Sequence, residues 1–362
     1  MHTRTLIKPD GRSLYLYARS PIDDGIAAPS PSTLPHVPDP HLRWHPLRAE
    51  WVAYAGHRQN RIFLPPPAYN PLAPGSDPGE PTEVPAGPWD VAVFENLSPA
   101  LAMTAGIPPE LIVPTKRGAG VCEIVVFTQD PTTSLGRLPL WHVDLVLEVW
   151  GDRHAALGAH PEIAYVFPFE NRGAEVGATL THPHGQIYAY PFVPPIPARA
   201  LAQQDNYFRA HGTGLLEDFV AREIAADVRM LYCGAHAAAF VPVCARYAYE
   251  VWVAPRRAVP SLTALSHEQR ADVARALKTA LLKLDGLWRR PMPYILAWQQ
   301  APTDGNPHPE AHLHAQIYPA LRMRDRLKYL AGSEIGAGVF TADTLPEESV
   351  QQLREVAVHL DE

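Results

Sequence analysis

Two histidines and a glutamine stand at alternate positions, His182, His184 and Gln186, in the run Gly177-Ala178-Thr179-Leu180-Thr181-His182-Pro183-His184-Gly185-Gln186-Ile187-Tyr188. Alternate side chains of a strand share a face, so a strand here would present two imidazoles and an amide together. Gly177 would let the backbone approach whatever lies opposite. A neutral imidazole is a competent nucleophile towards phosphorus near neutral pH. Its attack on a diphosphate would leave a nucleotidyl-histidine, to be discharged by a second acceptor. Gln186 can donate a hydrogen bond to a phosphoryl oxygen as charge builds there, but it cannot activate water as a base. The pattern therefore favours transfer over hydrolysis. The same residues could instead hold a metal, or stand incidentally on a polar strand edge.

A second copy, His312-Leu313-His314-Ala315-Gln316-Ile317-Tyr318, lies near the C-terminus. Glu123, in Cys122-Glu123-Ile124-Val125, precedes His182 by 59 positions, and Glu250, in Tyr249-Glu250-Val251-Trp252, precedes His312 by 62. Such spacing points to a duplicated α+β unit, with halves at 1–197 and 198–362.

The elements that must position the motif can be read in order. Alternation over 3–19 suggests a strand or hairpin, and the proline-rich stretch 20–40 an extended surface segment. Residues 51–54, 90–94, 122–127 and 163–167 read as strands, 57–61 and 65–88 as loops, and 138–156 as a helix. After the proline-rich exit 191–197, helices are expected over 205–216 and 217–228, and strands over 239–243, 247–253 and 294–298. Ser266 and Gln269 have capping-box spacing at the start of a helix running to about Trp288. Residues 327–340 read as a loop and 346–359 as a closing helix.

The 362 residues are 46% hydrophobic and 19% charged, enough for a sizeable core. A net charge of −7 argues against general nucleic-acid or membrane-surface binding. Any anionic substrate must then be held by local cations. Cys122, Cys233 and Cys244 are too few and scattered for a disulfide framework. No apolar leader or membrane span is read, so a cytoplasmic protein is expected.

The run Phe169-Glu170-Asn171-Arg172-Gly173, Gly177 and His182-Pro183-His184-Gly185-Gln186 resembles the galactose-1-phosphate uridylyltransferase family, within the histidine-triad superfamily. The likeness extends to Trp44-His45-Pro46-Leu47, His57-Arg58-Gln59-Asn60-Arg61, Phe94-Glu95-Asn96, Trp298, Tyr318-Pro319-Ala320-Leu321 and Gly332-Ser333-Glu334. It implies two tandem histidine-triad-like halves forming one extended antiparallel sheet with helices packed on it. It also implies a homodimer moving UMP between UDP-glucose and galactose 1-phosphate. By that resemblance His184 carries UMP, Gln186 steadies the α-phosphoryl oxygens, and Thr179 stands where the family usually has serine. Asn171 would contact phosphate, Glu170 would brace the site, and Asn96 would lie near uridine. Arg58 and Arg61 would bind phosphate, and Lys328 and Glu334 would meet the hexose, all four from the neighbouring subunit.

The family's structural zinc would need cysteines near Asn70 and Ala73 and a histidine near Pro131, leaving His182 alone. Its iron would need histidines at Gln299 and Gln316 and an acid near Ala200, leaving His314 alone. One ligand does not make a four-coordinate site, so no metal cofactor is expected, and His312 and His314 read as a relic of the duplication. Alternatives are a dinucleotide polyphosphate phosphorylase, a nucleotide- or metal-binding protein without catalysis, and a histidine-triad hydrolase. Gln186 disfavours the last, because those enzymes place a third histidine there.

Overall fold

The structure, a computed structural model of the chain, describes residues 1–60, 69–75, 79 and 81–360. Among these residues its frame is one antiparallel sheet of eleven strands. In chain order these are β1 (His2–Ile7), β2 (Ser13–Ala18), β3 (Val91–Glu95), β4 (Val121–Val126), β5 (Tyr165–Arg172), β6 (His184–Tyr190), β7 (Met230–Cys233), β8 (Ala237–Phe240), β9 (Val251–Pro255), β10 (Tyr294–Gln299) and β11 (His314–Pro319). Across the sheet they run β1-β2-β3-β4-β6-β5-β10-β11-β9-β8-β7. The order reads alike outward from the β5–β10 pair: β6, β4 and β3 on one side, β11, β9 and β8 on the other. At this seam Phe169 pairs with Ala297 and Arg172 with Tyr294.

Among the described residues five helices accompany the sheet: α1 (Leu140–Gly158), α2 (Pro195–His211), α3 (Leu215–Ala226), α4 (His267–Gly286) and α5 (Pro346–Arg354). Helices α1 and α4 bury Val146, Trp150, Leu277 and Leu281 in one core with Val125, Ile187, Trp298 and Ile317 of the strands. This core crosses the seam, where the rings of Trp150 and Trp298 lie 6.1 Å apart, both fully buried. Ser266 caps α4 as its spacing predicts, accepting from Gln269 N while the Gln269 side chain returns to the Ser266 backbone.

Several expectations shift. The end of the proline-rich exit, from Pro195, is the first turn of α2, since proline lacks a donor that the first helical position would leave unpaired anyway. Helix α3 stops at Asp227, whose φ of 49° is left-handed, so that 230–233 becomes an edge strand. Residues 115–117 form a strand paired with His41–His45, which also pairs with Glu50–Tyr54. Residues 56–60 form a short 3-10 turn, and Pro74–Gly75 pairs with Val84–Pro85 inside the expected loop. Residues 332–337 make one π-helical turn, and α5 ends at Arg354. No helix among the described residues is long and apolar enough to cross a membrane.

Candidate active site

Strand β6 shows the alternation of a half-covered sheet: Gly185, Ile187 and Ala189 are buried, while His184, Gln186 and Tyr188 are half-buried on the opposite face. Gly185 is obligatory, because a Cβ there would meet the Phe127 ring at 2.7 Å and Phe169 O at 3.0 Å. His182 does not continue this face. The strand begins at His184, and His182 lies just before it, 1% exposed, its Nε2 donating to Thr128 O at 2.7 Å. Asn70 Nδ2 donates to the other ring nitrogen of His182 at 2.9 Å. Gly177 has open space beside it, so its use is its φ of 79° rather than close approach.

A row of side chains across four strands floors a cavity of about 340 Å³. Phe94 of β3 pairs with Ile124 of β4, Ile124 with Gln186 of β6, and Gln186 with Phe169 of β5. From Phe94 to Gln186 is two strand spacings, roughly 10 Å, about the length of a nucleoside. Leu72 and Leu180 join Phe94 and Ile124 at the apolar end, beside Glu83. At the polar end stand His184, Gln186 and Asn171, with Thr179 and Gly177 on the loop leading into β6; Asn96, just beyond β3, lines the wall next to Phe94 in sequence. Asn96 Oδ1 accepts from Ser98 N at 2.8 Å, which fixes that wall.

His184 Nδ1 donates to His182 O at 2.7 Å, which leaves Nε2 as a lone pair with no partner among the described residues. Burial holds its basicity below the ordinary histidine value. His184 also lines an adjoining cavity of about 360 Å³ with His182, Asn171 and Glu170. Burial pushes the Glu170 carboxyl up to about 7, and Tyr294 Oη donates to it across the seam at 2.9 Å. Glu170 lines this second cavity and not the first.

Arg58 lines the cavity of its own chain. The turn at 56–60 folds back so that its Nη1 donates to Ser98 O at 2.7 Å and lies 3.5 Å from Tyr188 Oη. Arg61 lies outside the described residues. Lys328 and Glu334 line neither cavity that His184 lines. They face each other at 3.7 Å, and Lys328 Nζ donates to Thr341 O at 2.7 Å.

The second motif repeats two bonds of the first, though among the described residues His312 Nδ1 lacks the partner that Asn70 gives His182. His314 Nδ1 donates to His312 O at 2.9 Å and His312 Nε2 to Pro255 O at 2.9 Å. Its chemistry is nonetheless closed. Gln316 Nε2 donates to His314 Nε2 at 3.1 Å, engaging the lone pair that His184 keeps free. Trp252 pairs with Gln316 as Ile124 does with Gln186, and its ring lies 5.8 Å from that of His314. The space beside His312 and His314 is about 10 Å³, room for a water at most.

The donor sets fit neither family metal. At the zinc position Asn70 is itself the partner of His182, and Ala73 and Pro131 carry no ligand atom. At the iron position Gln299 and Gln316 offer only neutral amides. Among the described residues no group of three or more His, Cys, Asp or Glu side chains is placed to hold a metal. Sequence reasoning missed Glu83, Leu72 and Leu180 of the wall. It also left Ile124 unassigned, because its place in the floor depends on strand register.

An imidazole nitrogen on a sheet, in the lining of a nucleoside-length cavity that also holds an arginine, is an arrangement suited to nucleotidyl transfer. The family models for galactose-1-phosphate uridyl transferase match this chain, the N-terminal domain over residues 90–194 and the C-terminal domain over 200–362. It is 36% identical over 327 residues to the galactose-1-phosphate uridylyltransferase of Thermotoga maritima, spanning 88% of this chain and 99% of that one. The enzyme of that name from Streptomyces lividans is 37% identical over 309 residues, 83% and 82% of the two chains. A solved structure of a uridylyltransferase superposes with a TM-score of 0.79 at 32% identity, covering 87% of this chain and 97% of that one. The chain belongs to the galactose-1-phosphate uridylyltransferase family.

Proposed function

We propose that this transferase moves UMP between UDP-glucose and galactose 1-phosphate in two displacements through a uridylyl-histidine. The observation that carries the reading is the bare Nε2 of His184 beside the cavity floor. The Nε2 lone pair attacks the α-phosphorus, the bond from that phosphorus to the bridging oxygen breaks, and hexose 1-phosphate leaves with the electron pair. A phosphate oxygen of the acceptor hexose 1-phosphate then attacks the same phosphorus. The P–N bond breaks and neutral imidazole returns. Gln186 and Thr179 donate to the α-phosphoryl oxygens, and Asn171 and Arg58 hold phosphate. Gly177 shapes the loop that carries Thr179, and Asn96 lies beside the nucleoside. His182 fixes the tautomer of His184 through its carbonyl, and Glu170 supports β5. The test is intact mass after mixing with UDP-glucose. A gain of one uridylyl group, lost again on adding galactose 1-phosphate, is expected; an unchanged mass overturns the reading.

The halves 1–197 and 198–362 are read as one duplicated unit in which only the first copy kept an open cavity. Both family metals are read as lost. Elemental analysis of the purified protein is expected to find neither zinc nor iron in stoichiometric amount, and chelators are expected to leave transfer unchanged. The unpaired cysteines and sugar nucleotide substrates fit a cytoplasmic enzyme.

The chain is further read as a homodimer in which Lys328 and Glu334 reach the hexose in the partner's site, since they line neither cavity around His184 in their own chain. Chains carrying His184→Ala and chains carrying Lys328→Ala with Glu334→Ala, each deficient alone, are expected to recover activity once subunits exchange, because a mixed dimer rebuilds one complete site. Exchange without recovery would return both residues to their own chain.

A further inference from the structure

The tight turn Lys8–Arg12 joins β1 to β2 and is closed by Lys8 N donating to Arg12 O at 2.8 Å. It lies beneath the apolar end of the cavity and takes no part in the transfer chemistry. Arg12 is 1% exposed, yet all five of its N–H groups are engaged. Nε donates to Asp10 Oδ2 at 2.8 Å. Nη1 reaches Glu83 Oε1 at 3.2 Å and Glu95 O at 2.8 Å. Nη2 reaches Glu83 Oε2 at 2.9 Å and Ser30 Oγ at 3.2 Å. Lys8 Nζ donates to Glu83 Oε2 at 2.5 Å and to Glu83 O at 2.6 Å, and lies 4.6 Å from the centroid of the Phe94 ring.

Two cations of one turn therefore hold two separate pieces of the cavity wall: the Glu83 loop, and the end of β3 with Phe94 and, through the carbonyl before it, Asn96. With Asp10 and Glu83 the cluster is neutral. An ion cluster buried in this way is a poor source of net stability, since apolar residues of similar volume often do as well. Its geometry has a different use: a planar guanidinium fixes the distance between the Glu83 loop and the end of β3, which a single ammonium does not.

We propose that Lys8 and Arg12 are positioning residues for nucleobase recognition, setting the width of the cavity end that receives the base of a nucleoside diphosphate. This rests on the proposed uridylyl transfer for the direction in which the nucleotide lies. Arg12→Lys keeps the charge and loses the bridge. Glu83→Gln keeps the shape and weakens the grip from the other side. For each, UDP and ADP affinities are measured by calorimetry, alongside kcat and KM for UDP-glucose and the melting temperature.

The expected result is UDP affinity lowered roughly tenfold, a matching rise in KM, kcat nearly retained, and a UDP:ADP preference moved towards unity. A melting temperature that falls while the preference stays at the wild-type ratio would mean that the cluster only holds the fold, and would overturn the proposal. Should Arg12→Lys fail to fold, Glu83→Gln decides by the same ratio. Wild-type protein that takes up no uridylyl group would sink the functional reading. Wild-type protein that is labelled, with variants that keep the wild-type ratio, would sink this inference alone.

Discussion

His184→Ala is expected to abolish uridylyl transfer, on the order of 10⁴-fold or more, as loss of a covalent nucleophile does elsewhere. The fold should survive, because His184 is half-buried on the cavity face while Gly185 and Ile187 carry the packing of β6. Far-UV dichroism and melting temperature close to wild type, with no mass gain from UDP-glucose, are the expected readings. Near wild-type exchange in this variant would remove the proposed nucleophile. The pH profile adds a sign. Protonated imidazole has no lone pair, so the first half-reaction is lost as pH falls. Since burial lowers the pKa of His184 from its ordinary value near 6.5, the acid limb of kcat/KM for UDP-glucose should lie below that value.

Arg58→Ala should have the next largest effect. The substrate brings diphosphate charge to a chain of net charge −7. Arg58 is the only cationic side chain among the described residues lining the nucleoside cavity. Charge-assisted bonds of this kind are worth about 1.5–3 kcal/mol, so kcat/KM should fall by roughly 10- to 150-fold. Arg58→Lys should recover part of this, lacking the two parallel bonds of a guanidinium. Because Arg58 and His184 share one chain's cavity, mixing His184→Ala chains with Arg58→Ala chains should restore nothing. Recovery there would place the arginine across a subunit boundary and overturn its assignment to its own chain's cavity.

Much of this site was legible because its chemistry is local in sequence. Asn171, Gly177, Thr179, His184 and Gln186 fall within sixteen positions and line one cavity. His182 was misplaced for a reason the sequence carries: Pro183 has no N–H to give a ladder, and the strand starts after it. The capping box at Ser266 was readable since it depends on four adjacent residues. By contrast the wall residue Glu83 is held by partners 71 and 75 positions away, and no periodicity announces such a contact. Trp252 over His314 is of the same kind: closure of the second copy depends on register between β9 and β11. The edge strand 230–233 was hidden because a single left-handed residue, Asp227, sets the end of α3.

The Trp150–Trp298 contact gives the chain an optical label at its midline. One indole comes from α1 and the other from β10, and neither touches solvent. Two rings locked at 62° and excluded from water give a near-ultraviolet dichroic band that depends on their mutual orientation. Trp44 and Trp51 form a second edge-on pair at 63°, so the part of the band that Trp298→Phe removes is the part whose loss reports separation of the two sides of the sheet. Chemical denaturation can therefore be followed at the junction itself, with no dye attached.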